Sequence, residues 1–195
     1  MQASTDEPPI NFYLNSDLVN NWSPIQYGDH FGYIRAYTGL RSANFDNSYT
    51  GGQLFSDTMT LRQNVYYSLF LANTAAHPQA LLLTDTLNQP TAGNASVRFV
   101  NLSPDAGAVD LQVKAANTTT IANKSFTGHS GFVTVTAGGN YNLQVNTTGT
   151  STALASLTSV NLAPGAVYTI WLYGLKNSTT AADNLAVGIM TNAQF

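Results

Sequence analysis

Two histidines in this chain stand at matching places. His30 lies two residues ahead of Gly32-Tyr33-Ile34, and His129 two residues ahead of Gly131-Phe132-Val133. An imidazole can act as a general base or bind a metal, but a metal site needs several ligands at short spacing. The chain has no cysteine, and its remaining histidine, His77, sits in a His77-Pro78 loop. The pair therefore reads as turn caps, and no metal or cofactor is expected. The carboxylates Asp6, Asp17, Asp29, Asp46, Asp57, Asp85, Asp105, Asp110 and Asp183 are scattered, whereas glycosidase chemistry asks for two carboxyl groups about 5 to 10 Å apart. Asp105, after Ser103-Pro104, reads as a turn stabiliser. Gly128-His129-Ser130-Gly131 lacks the spacing of a nucleophile elbow. No catalytic residue is assigned, and the chain reads as a non-enzyme. The competing reading is a glycan-active enzyme or an accessory carbohydrate-binding domain whose carboxylates converge only in space.

Aromatic rings offer the richer chemistry, at 11% of residues against 9% charged. Strand alternation places Tyr168, Ile170 and Leu172 on one face, and Thr169, Trp171 and Tyr173 on the other. Phe70 falls at the Trp171 position of the first half. Phe70, Trp171, Tyr173 and Tyr37 are the candidate binding residues, since a sugar stacks on a flat exposed ring. Tyr27, Phe31, Tyr33, Phe45 and Tyr49 enlarge the store of rings in the first half. The alternative is that these rings fill the two cores and the junction between halves. Trp22 aligns with Ile121 and is expected first in a core or at an edge.

The elements that position these side chains repeat. Ile10-Asn11-Phe12 matches Val109-Asp110-Leu111 at a spacing of roughly 99, and Leu61 to Leu71 matches Leu162 to Leu172 at roughly 101. Period-two alternation, as in Val109, Leu111 and Val113, marks half-buried antiparallel strands. Strands are expected near 31–37, 65–72, 80–84, 96–102, 131–136, 141–146, 166–173 and 185–190. The fold class is all-β, two tandem immunoglobulin-like antiparallel β-sandwich modules. Residues 1–8 read as the remnant of a tether, 9–87 as the first module, 88–94 as a linker and 95–195 as the second module. Nothing in the first module corresponds to Ser96 to Asn101, so its first strand is missing. Tyr168, after Pro164-Gly165, fits a tyrosine corner whose hydroxyl returns to backbone near 162–165. Tyr67 is its counterpart, with Asn64 in place of Gly165 and a distorted turn expected. Both are structural candidates.

Ser96 to Leu111, with its Val97-Arg98-Phe99-Val100-Asn101-Leu102-Ser103-Pro104-Asp105 run, resembles the opening of the bacterial family called domain of unknown function 4397. Gly131 to Gly138 and Leu162 to Thr169 are similar to its later turns. The resemblance covers 95–195 well and the first module through the internal repeat, with departures at Arg41 and Arg62-Gln63-Asn64. It implies tandem sandwich modules of secreted or lipid-anchored envelope proteins, commonly in Gram-negative bacteria, and carries no activity.

With 7 Lys and Arg and a net charge of −3, the chain has no basic stripe for phosphate, which argues against nucleic acid. No apolar run approaches the length of a membrane span. The polar stretch after Met1 has no apolar signal core, so an export signal is expected to have been cut away and any lipid anchor to lie upstream. The expected location is extracytoplasmic, at the bacterial cell surface or in the periplasm. The expected role is adhesion, scaffolding or glycan contact, with a glycan or another envelope protein as partner. Asp57-Thr58-Met59, Asp85-Thr86-Leu87 and the Asn-x-Ser/Thr strings at Asn94, Asn117, Asn123, Asn146 and Asn177 read as by-products of a Thr- and Asn-rich composition.

Overall fold

The computed structural model describes residues 1–114 and 118–195 and divides into two compact units, Met1–Asp85 and Thr86–Phe195. The first unit contains β1 (Ile10–Leu14), β2 (Asp17–Leu18), β3 (Gly39–Asn47), β4 (Gln53–Leu61), β5 (Tyr66–Ala72) and β6 (Gln79–Asp85). Four of these form a sheet in the order β2-β1-β3-β4, while β5 and β6 pair as a two-stranded ribbon. The second unit contains β7 (Asn94–Asn101), β8 (Val109–Lys114), β9 (Thr118–Lys124), β10 (Val133–Thr136), β11 (Asn140–Thr147), β12 (Ala153–Asn161), β13 (Ala166–Tyr173) and β14 (Ala186–Gln194). They make two four-stranded sheets, β10-β7-β13-β14 and β12-β11-β8-β9. Among the described residues no helix is long and apolar enough to cross a membrane.

The second unit is a β-sandwich because alternate residues of both sheets meet in one core. Val97, Phe99, Ile170 and Leu172 come from one sheet, and Leu111, Val113, Leu143 and Val145 from the other. Each such side chain contributes roughly 1.5–3 kcal/mol on burial. The first unit repeats the plan with a smaller core of Ile10, Phe12, Ile25, Ala43, Phe45, Met59 and Leu71. Phe12 and Phe45 stack at 5.0 Å. Ile10 pairs with Asn47 and Phe12 with Phe45, as Val109 pairs with Thr147 and Leu111 with Val145.

Two expectations fail in the first unit. Residues 31–37 form no strand, although 133–136, the repeat equivalents of 34–37, are β10. The reason is pairing: β10 is held by β7, through Val133 to Val97 and Thr136 to Asn94, and the first unit has no strand in that place. Nor are residues 1–8 a tether. Gln2, Ala3, Ser4 and Thr5 are buried, Gln2 bridges Leu71 in parallel, and Ala3 N–H donates to Leu71 O at 2.7 Å. In the second unit Asn101 pairs in the same way with Leu172, so Gln2 is the repeat of Asn101.

Candidate functional site

The rings separate into buried and exposed sets that differ from the expected ones. Phe70 is 0% and Trp171 1% exposed, which removes both as stacking surfaces for a sugar. Trp171 is held by close packing: a Cβ on Gly188 would lie 2.2 Å from the indole, so only glycine leaves room. Tyr173, beside Trp171 at 6.5 Å between centroids, is half-buried. Tyr37 alone of the four candidates is open, at 82% exposed.

Trp22 also departs from its alignment with Ile121. It is 58% exposed and meets Phe31 edge-on at 5.3 Å, and Ile25 enters the core in its place. The short β2 accounts for this, because β9, its longer counterpart, carries Ile121 inward. Tyr33, Tyr49 and Tyr66 are exposed as well. Tyr33 reaches Tyr66 at 5.3 Å between ring centroids. The first unit therefore carries several open aromatic rings, whereas Phe12 and Phe45 belong to its core.

Both tyrosine corners form. Ala163 N–H donates to the Tyr168 hydroxyl oxygen at 3.0 Å, and Arg62 N–H to that of Tyr67 at 3.1 Å. Asn64 does not distort its turn. It holds φ +58° where Gly165 holds +78°, and asparagine is among the few residues that tolerate this left-handed region.

Histidines and carboxylates are placed structurally. His129 lies with Nδ1 3.3 Å from Thr127 O and bridges Val100. No group of three or more potential metal ligands occurs among the described residues. Asp105 accepts from Lys176 N–H at 2.7 Å and Asn177 N–H at 3.1 Å, fastening the loop after β13. Asp110 accepts from Asn123 N–H, Gly149 N–H and the Thr148 hydroxyl at 2.8–3.0 Å. Burial pushes its pKa up, but these donors outweigh that and leave it below the ordinary carboxylate value.

Two polar clusters went unread. In the second unit Arg98 Nη2 donates to Thr169 Oγ1 at 2.8 Å, and Thr169 in turn donates to Asn192 Oδ1 at 2.6 Å. Phe132 lies 4.7 Å from the guanidinium. In the first unit Ser68 donates to Asp85 Oδ2 at 2.6 Å, and the Tyr33 hydroxyl donates to the same oxygen. The sequence presents Asp85 only as one of the scattered carboxylates and within an Asp-Thr-aliphatic string. The available signal was the repeat, since Tyr33 and Ser68 fall on Phe132 and Thr169. Asn117 lies outside the described residues.

A family model described as Domain of unknown function (DUF4397) matches residues 1–112. The span takes in the whole first unit, β7 and most of β8. The motifs that suggest this family are read chiefly from 95–195, so the match falls further toward the N-terminus than expected. It ends one residue past the run Ser103 to Leu111 that repeats Ser4 to Phe12, and so spans slightly more than one period of the repeat. No curated protein matches the chain.

Proposed function

Because the chain belongs to the DUF4397 family, for which only a domain of unknown function is described, we propose that it is a non-enzymatic contact module working outside the cytoplasm. Its first unit stacks glycan on exposed rings at the cell surface or in the periplasm. The observation that carries this reading is the open aromatic set, with Tyr37 at 82% and Trp22 at 58% exposed and Trp22 steadied by Phe31. A fixed, solvent-facing ring gives a sugar an apolar face without an ordering cost at binding. The non-enzymatic part is supported by Asp105 and Asp110, whose oxygens are engaged by backbone and hydroxyl donors. A glycan array, followed by titration of the best hit, tests it. Trp22→Ala and Tyr37→Ala together should weaken binding about tenfold or more, equal to about 1.4 kcal/mol. Undiminished binding by the double variant, or an array without a hit, would end the glycan reading.

A further inference from the structure

The first unit has three arginines, Arg35, Arg41 and Arg62, and no lysine. All three come to one end of the β3 and β4 pair. Gly39 opens β3 opposite Leu61, the last residue of β4, so Arg62 follows directly and stands opposite Thr38. Arg41 lies two residues into β3, and its guanidinium turns back: Nε donates to Tyr37 O at 3.0 Å and Nη2 to Thr38 O. Arg35 is two residues before Tyr37, within about 7 Å along the chain. No Asp or Glu occurs in residues 30–45 or 58–84, which contain the strand ends that meet here. Among the described residues none of the three guanidinium groups is paired with a carboxylate, and Nη1 of Arg41 has no partner.

The second unit does the same local work without charge. Register puts Tyr141 in the place of Arg41, since Tyr141 faces Val160 on β12 as Arg41 faces Met59 on β4. The Tyr141 hydroxyl donates to Thr136 O and so ties down the chain before β11, as Arg41 ties down the chain before β3. Thr134 and Ala163 align with Arg35 and Arg62, and neither carries charge. One neutral donor is therefore enough to hold this turn. The three positive charges of the first unit stand beside its most open rings, with Arg35 and Arg62 exposed and Tyr37 at 82%.

We propose that this end of the first unit recognises an acidic glycan, one whose sugar rings carry carboxylates. The inference rests on the glycan reading of Tyr37 and names its substrate class. A uronate ring stacks on Tyr37 while its carboxylate takes Nη1 of Arg41, a planar donor against a planar acceptor. Arg35 and Arg62 meet the carboxylates of neighbouring sugars along the glycan. Two bonds to backbone already hold the Arg41 side chain, so it loses little freedom when the ligand arrives. The same bonds fix the backbone from which the Tyr37 ring projects. An acidic peptide supplies the charge but lays no sugar face on that ring.

The probes are an oligogalacturonate and the same oligomer with its carboxyls methyl-esterified, which keeps every ring and removes the charge. The whole chain should bind the acid about tenfold or more tighter than the ester, and the preference should fade as salt rises. Arg41→Tyr, which supplies the neutral tie of the second unit, should keep the unfolding midpoint and weaken the acid about tenfold, with a much smaller effect on the ester. Arg35→Gln with Arg62→Gln, at side chains that hold no other residue, should also lower the preference. Equal binding of acid and ester, or a preference unchanged in both variants, would overturn the inference and leave stacking on Tyr37 standing. Polyglutamate bound as tightly as the oligogalacturonate would overturn it as well, since charge alone would then suffice. No binding of either oligomer ends this inference, and a glycan array without a hit ends the reading beneath it.

Discussion

β5 and β13 are repeats of one strand in different company. Each carries a corner tyrosine bonded to the backbone five residues earlier, and each pairs antiparallel along one edge, with β6 or β14. Only β13 has a full-length neighbour on the other edge, and only β13 is buried through its length. The comparison shows that burial here is set by the neighbouring strand at least as much as by the hydrophobicity of the strand itself. Tyr67 and Leu69 are as apolar as Tyr168 and Ile170, yet they stay half-buried.

If β7 is what distinguishes the units, the largest effect comes from emptying its core position. Phe99→Ala should cost about 3–5 kcal/mol, because Phe99 is fully buried. Leu69→Ala, on the thinly covered strand, should cost about 1–2 kcal/mol. The chain's two tryptophans, Trp22 and Trp171, fall one in each unit, so fluorescence during denaturation assigns each loss. Equal losses would break the comparison.

The turns come next. Gly165→Ala places a Cβ 2.8 Å from Phe195 O at a left-handed residue and should lower stability by about 2 kcal/mol. Asn64→Ala, where only the backbone preference is lost, should cost about 1 kcal/mol. Tyr168→Phe removes the bond to Ala163 and should cost about 1 kcal/mol or slightly more. The Tyr67→Phe loss should be about half that, since its bond to Arg62 N–H is exposed to water. A Tyr67→Phe loss as large as that of Tyr168→Phe would show that the missing neighbour does not matter at the corner.

The smallest effect is a pH dependence confined to the second unit. Asp110 has a folded-state pKa below its ordinary 3.8. Its contribution is therefore complete above that value and is lost as pH falls through the lower, folded one. The first unit has Asn11 at the equivalent place and no such term. Unfolding midpoints followed by Trp171 fluorescence from about pH 5 to pH 2 should fall more steeply in the parent than in Asp110→Asn. Parallel curves would remove Asp110 from the account.

Legibility in the sequence depended on whether a signal was local. Alternation in Val109 to Val113 and Ala166 to Tyr173 names a strand wherever it stands, and Pro164-Gly165 three residues before Tyr168 names a corner. Residues 31–37 carry similar alternation, yet their strand state depends on a partner distant in sequence, and no local pattern reports whether it is present. β3, β4 and β12 were missed because polar residues occupy many of their positions: Arg41, Ser42 and Asn44 in β3, Asp57 and Thr58 in β4, Ser156 and Ser159 in β12. The candidate rings were legible as types but not as exposures. Phe70 and Trp171 sit on the face opposite the sandwich core, which alternation alone assigns to solvent, while Trp22 left its aligned place because β2 is short.

The parallel pairing of β7 with β13 also sets a timetable. Arg98 and Thr169 are 71 residues apart, and a chain grows from its N-terminus at roughly 5–20 residues per second. β7 therefore leaves the ribosome several seconds before the strand that will hold it. Until β10 is made it has alternate apolar residues and two unpaired edges, and from then until β13 is made it keeps one, the form in which a strand recruits strays. The second unit is committed only when its next-to-last strand is made. A nascent chain halted before residue 166 holds the whole sheet of β8, β9, β11 and β12 but only β7 and β10 of the sheet that closes it.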